Sequence, residues 1–344
     1  MRTNLGGNKE YMWENNSRYN IVYAADDGFT EVMGVSILSL FENNQSAEDI
    51  RLTILDSGIT KINKDKIETI CKKYRRPLPI WVVATDIEEH LEMSVKADRG
   101  SIAQYARIFL TDIFSPSVKR VLYLDCDTLI VKSINELWNL DLEGNTIAAL
   151  KDAFSKYYRK NVDLAPDDVM FNSGVMLIDL EKWRNNKIEA KLADFIRQKK
   201  GKVQQGDQGV LNAVLSKDTL IISPKYNFAT VFTDLSYDEM LLYRRPVDFY
   251  SKREVVEAQE DIHIIHFTSH FFSLRPWQKG CTNKYLDTWL SYRKRSPWCD
   301  DELVTVNKSL KKQKLIAAYQ RNPKLILFLA SIFQIYLRPL KNRI

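Results

Sequence analysis

Histidine and cysteine are both scarce in this chain: 344 residues hold 4 of each. The cysteines (Cys71, Cys126, Cys281 and Cys299) are far apart and form no CxxC pair. Nothing reads as a disulfide framework, and a reduced, cytosolic setting is expected. The opening MRTNLGGNKEYMWENNSRYN has no apolar run, which argues against a secretory signal; residues 1–18 are expected to be a flexible lead-in. No internal repeat and no Gly/Ser-rich linker divides the rest of the chain, so one domain over 19–290 is expected. Acid is missing from one end altogether. After Leu303 there are nine Lys and Arg but no Asp or Glu, so with +6 overall the first 302 residues carry a net −3. A nucleic-acid enzyme gathers its cations round the active cleft. Here the basicity belongs to the tail, residues 291–344, and no nucleic-acid partner is expected.

Apolar runs and helical spacings alternate along the rest. Strands are expected at 18–26, 50–58, 79–85 and 119–125, with helices between them at 30–42, 62–74 and 101–114. Further on, 145–153, 171–180 and 261–267 read as strands, and 187–200 and 207–216 as helices. Near-continuous apolar strands in turn with helices predict an α/β fold, its mostly parallel sheet covered on both faces.

The stretch LYLDCDTLIV (122–131) interrupts the fourth strand with Asp125 and Asp127. Ionised carboxylates in an apolar setting are costly unless paired or coordinated. The plainer reading is a strand ending at Leu124 with a polar turn. The sharper one is a ligand pair at a strand C-terminus, where open α/β sheets bind. Two chemistries use such a pair. In haloacid-dehalogenase-like phosphatases one Asp attacks phosphorus and the other is a general acid. Elsewhere both hold a divalent cation against a nucleotide-sugar diphosphate. The phosphatase needs the pair on its first strand and a later G-D-x-x-x-D. Here three strand–helix units come first, and Leu211 stands where the later motif needs Asp. The nucleotide-sugar chemistry is favoured, with a phosphatase or an inactive nucleotide-sugar-binding protein as alternatives.

Seven segments carry a resemblance: IVYAADDGF, ILDSGI, QYARIFL, VLYLDCDTLIV, FNSGVMLIDLEKW, QGDQGVLN, and HF followed by RPW. In this order, over about residues 20–280, the chain resembles the retaining glycosyltransferases of family 8. It looks like the bacterial lipopolysaccharide α-galactosyl- and α-glucosyltransferases and, more distantly, glycogenin. The resemblance implies the GT-A fold, a UDP-hexose donor, Mn²⁺ or Mg²⁺, and a glycan or lipid-linked acceptor of the cell envelope. It puts Ala24 and Asp26 at the uracil edge and Phe29 on the ring, leaving Asp27 as a helix cap. Asp125, Asp127 and His266 would ligate the metal, with Arg107 beside them and Arg275 on the diphosphate. Asp152 and Asn172 would meet the donor sugar or the acceptor hydroxyl, Asp207 sugar hydroxyls, and Gln208 the underside of the anomeric carbon. A glutamine is a poor nucleophile, so front-face departure and attack are implied, with position and charge stabilisation as the protein's contribution. The chain departs from the pattern at Gly209, where a second acid is usual, at Arg275 in place of Lys, and in the lengthened HFTSHFFSLRPW. His270 in that insertion is an alternative ligand. His263, three residues before His266, should face the other side of its strand.

In the tail, Leu325–Leu337 is an apolar run of 13 residues, shorter than the ~20 a spanning helix requires. Lys324, Ser331, Gln334, Arg338 and Lys341 recur on one side of a helix, and Pro339 should limit its end. An interfacial helix on an anionic membrane is expected; docking on the body is the other reading.

Overall fold

The computed structural model describes residues 19–83, 91, 94–95, 102–268, 273–306 and 310–341. The lead-in and the segment containing His270 lie outside these. Within the described residues ten strands form: β1 Tyr19–Ala25, β2 Ile50–Asp56, β3 Ile80–Val83, β4 Arg120–Leu124, β5 Thr128–Ile130, β6 Ile147–Lys151, β7 Phe171–Asp179, β8 Thr219–Ile221, β9 Phe228–Ala229 and β10 Ile264–His266. Seven make one sheet in the order β3-β2-β1-β4-β7-β6-β8, and β5-β10-β9 make a second. In the large sheet only β7 runs against its neighbours.

The strands are apolar on both faces because both faces are covered. Ile21, Tyr23, Leu122 and Leu124 enter one core, against the helices Thr30–Asn43 and Lys61–Lys73. Their neighbours Val22, Val121 and Tyr123 enter the other, with Leu192, Ile196, Val210 and Leu211 of the helices Ile188–Gln198 and Asp207–Leu215. The period of two thus sorts each strand between two layers. A third core under the small sheet gathers Leu129, Phe228, Ile265, Trp277 and Trp289.

Two expectations are corrected. The segment expected as an α-helix over 101–114 is a 3-10 helix at Ile102–Ile108, followed by a short turn at Leu110–Asp112. Residues three apart eclipse in a 3-10 helix, which lets both Tyr105 and Ile108 enter the core. The tail helix does not end at Pro339. Pro323–Ile332 is α-helical, Phe333–Leu337 is a π turn, and Arg338–Lys341 continues the helix. Proline removes one helical donor and crowds the carbonyl four residues back, so the helix widens there. The Ile335 carbonyl accepts from Ser155 Oγ at 3.3 Å, and the Gln334 carbonyl from the Tyr158 hydroxyl at 2.9 Å. Ser331 and Gln334 are buried against the body, the docking that stood as the other reading of this helix. Leu325, Phe328, Leu329, Phe333, Leu337 and Leu340, each about half exposed, face outward.

Candidate active site

β4 ends at Leu124, and the turn after it is held by local bonds. The Asp125 N–H donates to the Gly174 carbonyl at 2.7 Å, and Thr128 Oγ1 to the Asp125 carbonyl at 2.8 Å. β5 then pairs antiparallel with β10, His266 opposite Thr128, and the Phe267 N–H donates to the Asp127 carbonyl at 2.8 Å. This pairing brings His266 to the two aspartates across 139 residues of sequence. His266 Nε2 lies 3.0 Å from Asp127 Oδ1 and 3.7 Å from Asp125 Oδ2. One ligand atom from each of the three falls within 4.8 Å of the others.

The donor set fits a divalent cation: two carboxylates and one imidazole, with the imidazole oriented from behind. His266 Nδ1 is 2.8 Å from Asn227 Oδ1, and Asn227 Nδ2 donates to Asn172 Oδ1 at 2.9 Å. Asn172 Oδ1 also accepts from the Gly174 N–H at 3.1 Å. That backbone donor sets both amides, so Nδ1 carries the proton given to Asn227 and Nε2 faces the carboxylates. Gly174 also makes room: a Cβ there would lie 2.2 Å from His266 Cε1 and 2.7 Å from Asp125 Oδ2. Without a cation, burial disfavours the charged forms of His266 and Asp127, but their mutual attraction outweighs it. The imidazole is held above its ordinary range and the Asp127 carboxyl below its own. His263 is elsewhere, against the Ser133 carbonyl at 2.6 Å.

These three side chains open into a cavity of about 190 Å³ that Asp152, Asn172, Gln208 and Arg275 also line. Gln208 Nε2 donates to Asp152 Oδ2 at 3.1 Å, and Asn172 Nδ2 to the same oxygen at 3.3 Å. Gln208 Oε1 accepts from the Ser173 N–H at 3.2 Å, so the amide is gripped at both ends. Arg275 Nη1 is 3.5 Å from Asp127 Oδ2, and its guanidinium lies 5.3 Å from the Trp277 ring. Phe29 meets Trp277 edge-on at 6.1 Å, linking the end of β1 to this side.

Arg107 and Asp207 are placed differently from the rest. Both are almost fully buried and neither lines the cavity. Arg107 pairs with Asp207 through both Nε and Nη2, reaches Asp125 Oδ1 at 3.4 Å and the Ser173 carbonyl at 2.7 Å, and covers the Tyr123 ring. Burial opposes the Arg107 charge, but Asp207 overrides it and the guanidinium stays protonated. Burial pushes the Asp207 carboxyl up against the pull of Arg107. The pair braces Asp125 and Ser173 from below. Ala24 and Asp26 lie at the end of β1, where the Ala24 carbonyl accepts from Cys126 Sγ at 3.1 Å. Asp26, not Asp27, caps the turn that follows, accepting from the Phe29 N–H. Asp27 reaches across to Thr60 and Asn63, because the next helix begins there. Gly209 has a steric reason: a Cβ would stand 2.0 Å from the Gln204 carbonyl.

Asn227, Ser173 and Arg244 were not expected at the site, and Arg338 was expected only in the polar stripe of the tail. Asn227 carried no pattern, and the two arginines reach the cavity from outside the matching segments.

A sequence model of glycosyl transferase family 8 matches residues 20–281. The chain belongs to this family. It is 30% identical over 282 residues to General stress protein A of Bacillus subtilis, covering 81% of this chain and 94% of that one. It is 26% identical to the lipopolysaccharide 1,3-galactosyltransferase of Salmonella typhimurium, covering 82% and 79% respectively. Its fold matches the galactosyltransferase LgtC, solved with donor and acceptor sugar analogues, at a TM-score of 0.66, covering 86% of this chain and 99% of that one at 22% identity. The fold is GT-A and the chain is a glycosyltransferase.

Proposed function

We propose that this glycosyltransferase moves a hexose, glucose or galactose, from a UDP-sugar to a glycan or lipid-linked acceptor of the cell envelope, with retention and with a divalent cation, Mn²⁺ or Mg²⁺. The convergence of Asp125, Asp127 and His266 at the C-terminal edge of the parallel strands carries the reading. Relatives named as lipopolysaccharide glucosyl- and galactosyltransferases support the acceptor class. Asp125, Asp127 and His266 would hold the cation, whose chemistry is to neutralise charge on the leaving diphosphate.

The chain's own groups do the rest. Arg275 supplies a second positive charge beside Asp127. Gln208 is fixed by Asp152 and Ser173 and has no ionisable oxygen, so it positions and stabilises but does not attack. The acceptor oxygen would bond to the anomeric carbon on the face from which the diphosphate departs. The bond to the diphosphate breaks and the acceptor proton passes to a leaving phosphate oxygen. Asp152 would orient sugar hydroxyls rather than form an intermediate.

The outward apolar face of the tail, with exposed Lys314, Arg321, Lys324 and Lys341 beside it, supports peripheral attachment to an anionic cytoplasmic membrane face. The decisive experiment is a screen of UDP-hexoses with Mn²⁺, with and without chelator, on the wild type, Asp125→Asn and Asp127→Asn. Transfer lost with chelator and in both variants is expected. Unimpaired turnover by both variants would remove the metal role. UDP-sugar binding without hydrolysis or transfer would identify a binding protein instead.

A further inference from the structure

Resting on the transferase reading, we infer that the acceptor carries a phosphate on or beside the sugar that receives the hexose, and that Arg244 and Arg338 hold it. Both line the cavity that contains Asp152 and Gln208. The other arginines at the site are matched: Arg107 by Asp207 and Asp125, Arg275 by Asp127. Among the described residues neither Arg244 nor Arg338 forms an ion pair, and the cavity's carboxylates have other partners. Arg244 Nε is buried with no hydrogen-bond partner, its guanidinium near the Phe154 and Tyr243 rings. Among the described residues Arg338 reaches only Gln334 Oε1, at 3.4 Å. Half-buried guanidiniums without a carboxylate call for an anion, and their planar fork suits phosphate.

The placement is built. Helix Tyr237–Arg244 ends at one arginine and packs against the tail helix that carries the other. The tail is pinned on its polar side: Gln334 Nε2 donates to the Tyr158 hydroxyl at 2.9 Å, Asn161 Nδ2 to the Pro339 carbonyl at 2.9 Å, and Arg245 Nη1 to the Tyr336 hydroxyl at 2.8 Å. With that face inward, Arg338 meets the cavity while Phe333, Leu337 and Leu340 of the same helical run face out. The donor diphosphate would instead be met by the cation that Asp125, Asp127 and His266 would hold and by Arg275. The two unmatched cations come from the helix Tyr237–Arg244 and from the tail helix, whose outward apolar face is where a membrane-borne acceptor would enter.

The test compares three acceptors built on one sugar: an octyl glycoside, its phosphate monoester, and the same phosphorylated sugar without the octyl chain. With a UDP-hexose and Mn²⁺, wild type should prefer the phosphorylated octyl glycoside by at least about tenfold in kcat/KM, the size expected of charge-assisted bonds. Arg244→Gln and Arg338→Gln should each erase most of that preference, whatever happens to the absolute rate, and Arg→Lys should restore part of it. Loss of rate without the octyl chain assigns a lipid-borne phosphate; equal rates assign a soluble phosphoglycan. The proposal is overturned if wild type shows no preference, if the glutamine variants keep it, or if they change discrimination between UDP-hexose and UDP-uronate donors instead. If wild type turns over no UDP-hexose, the transferase reading has failed on its own. Calorimetric binding of the same glycosides then still decides whether the two arginines select phosphate.

Discussion

Gly174 sets how close two of the proposed metal ligands can come. A methyl group there would overlap His266 and Asp125 together, so both must move or the strand must shift. Gly174→Ala should therefore reduce transfer by about two orders of magnitude, the scale on which small misplacements act in active sites. A kcat measurement alongside a thermal melt separates this from unfolding. Asn227 acts at one remove: its amide, set by Asn172, fixes the His266 ring. Asn227→Ala should weaken Mn²⁺ binding by roughly 10–100-fold, read by metal titration; unchanged affinity would show that the ring is held by packing alone. Neither residue was legible in the same way. Gly174 sits in a matching segment, whereas Asn227 is an ordinary residue 39 positions from the histidine it orients.

Among the elements, the turn after β1 shows how a correct region can hide a wrong partner. Asp27 bonds Thr60 and Asn63 at 2.8 Å, tying β1 to the helix that follows β2. The backbone bond from Thr60, then the one from Asn63, hold its carboxyl below the ordinary range. A depressed folded pKa contributes stability above the unfolded pKa and loses it as pH falls through the folded value. Asp27→Asn should lower the urea midpoint at pH 7, and the difference should shrink below about pH 4; a gap that persists at pH 3 would show that charge is not the cause. The 3-10 segment at Ile102–Ile108 was missed for a related reason. Apolar spacing reports which residues go inward, and at this length it does not separate three residues per turn from 3.6.

For the whole molecule, the tail inverts its own pattern. Periodicity puts Ser331, Gln334 and Arg338 on one side correctly, but polarity alone does not say whether that side meets solvent or the body. The body offers Tyr158, Ser155 and the cavity as partners, so the polar side is the docked one. Leu327 and Ile335 are buried with it, while Leu325, Phe328, Leu329, Phe333, Leu337 and Leu340 are left outward, flanked by cations. Replacing Phe328 and Leu337 with Glu should reduce binding to phosphatidylglycerol vesicles by about tenfold or more per site, since burying each side chain contributes roughly 1.5–3 kcal/mol when complete. Sedimentation with vesicles at two salt concentrations measures this; binding that follows salt but ignores both substitutions would leave only electrostatic attachment.

What the sequence determined by itself was the order of elements, the two-sided sheet, and the place where carboxylates interrupt a strand. These depend on neighbours two to four residues apart, and the ordered motifs reached the family. What only the tertiary structure decided was which distant groups meet. His266 reaches the aspartates because β10 lies antiparallel to β5, and Arg338 reaches the cavity because Pro339 frees carbonyls that Ser155 and Tyr158 satisfy. A buried polar group must find a partner, but its identity is a property of the packed chain and leaves no local trace in the order of residues.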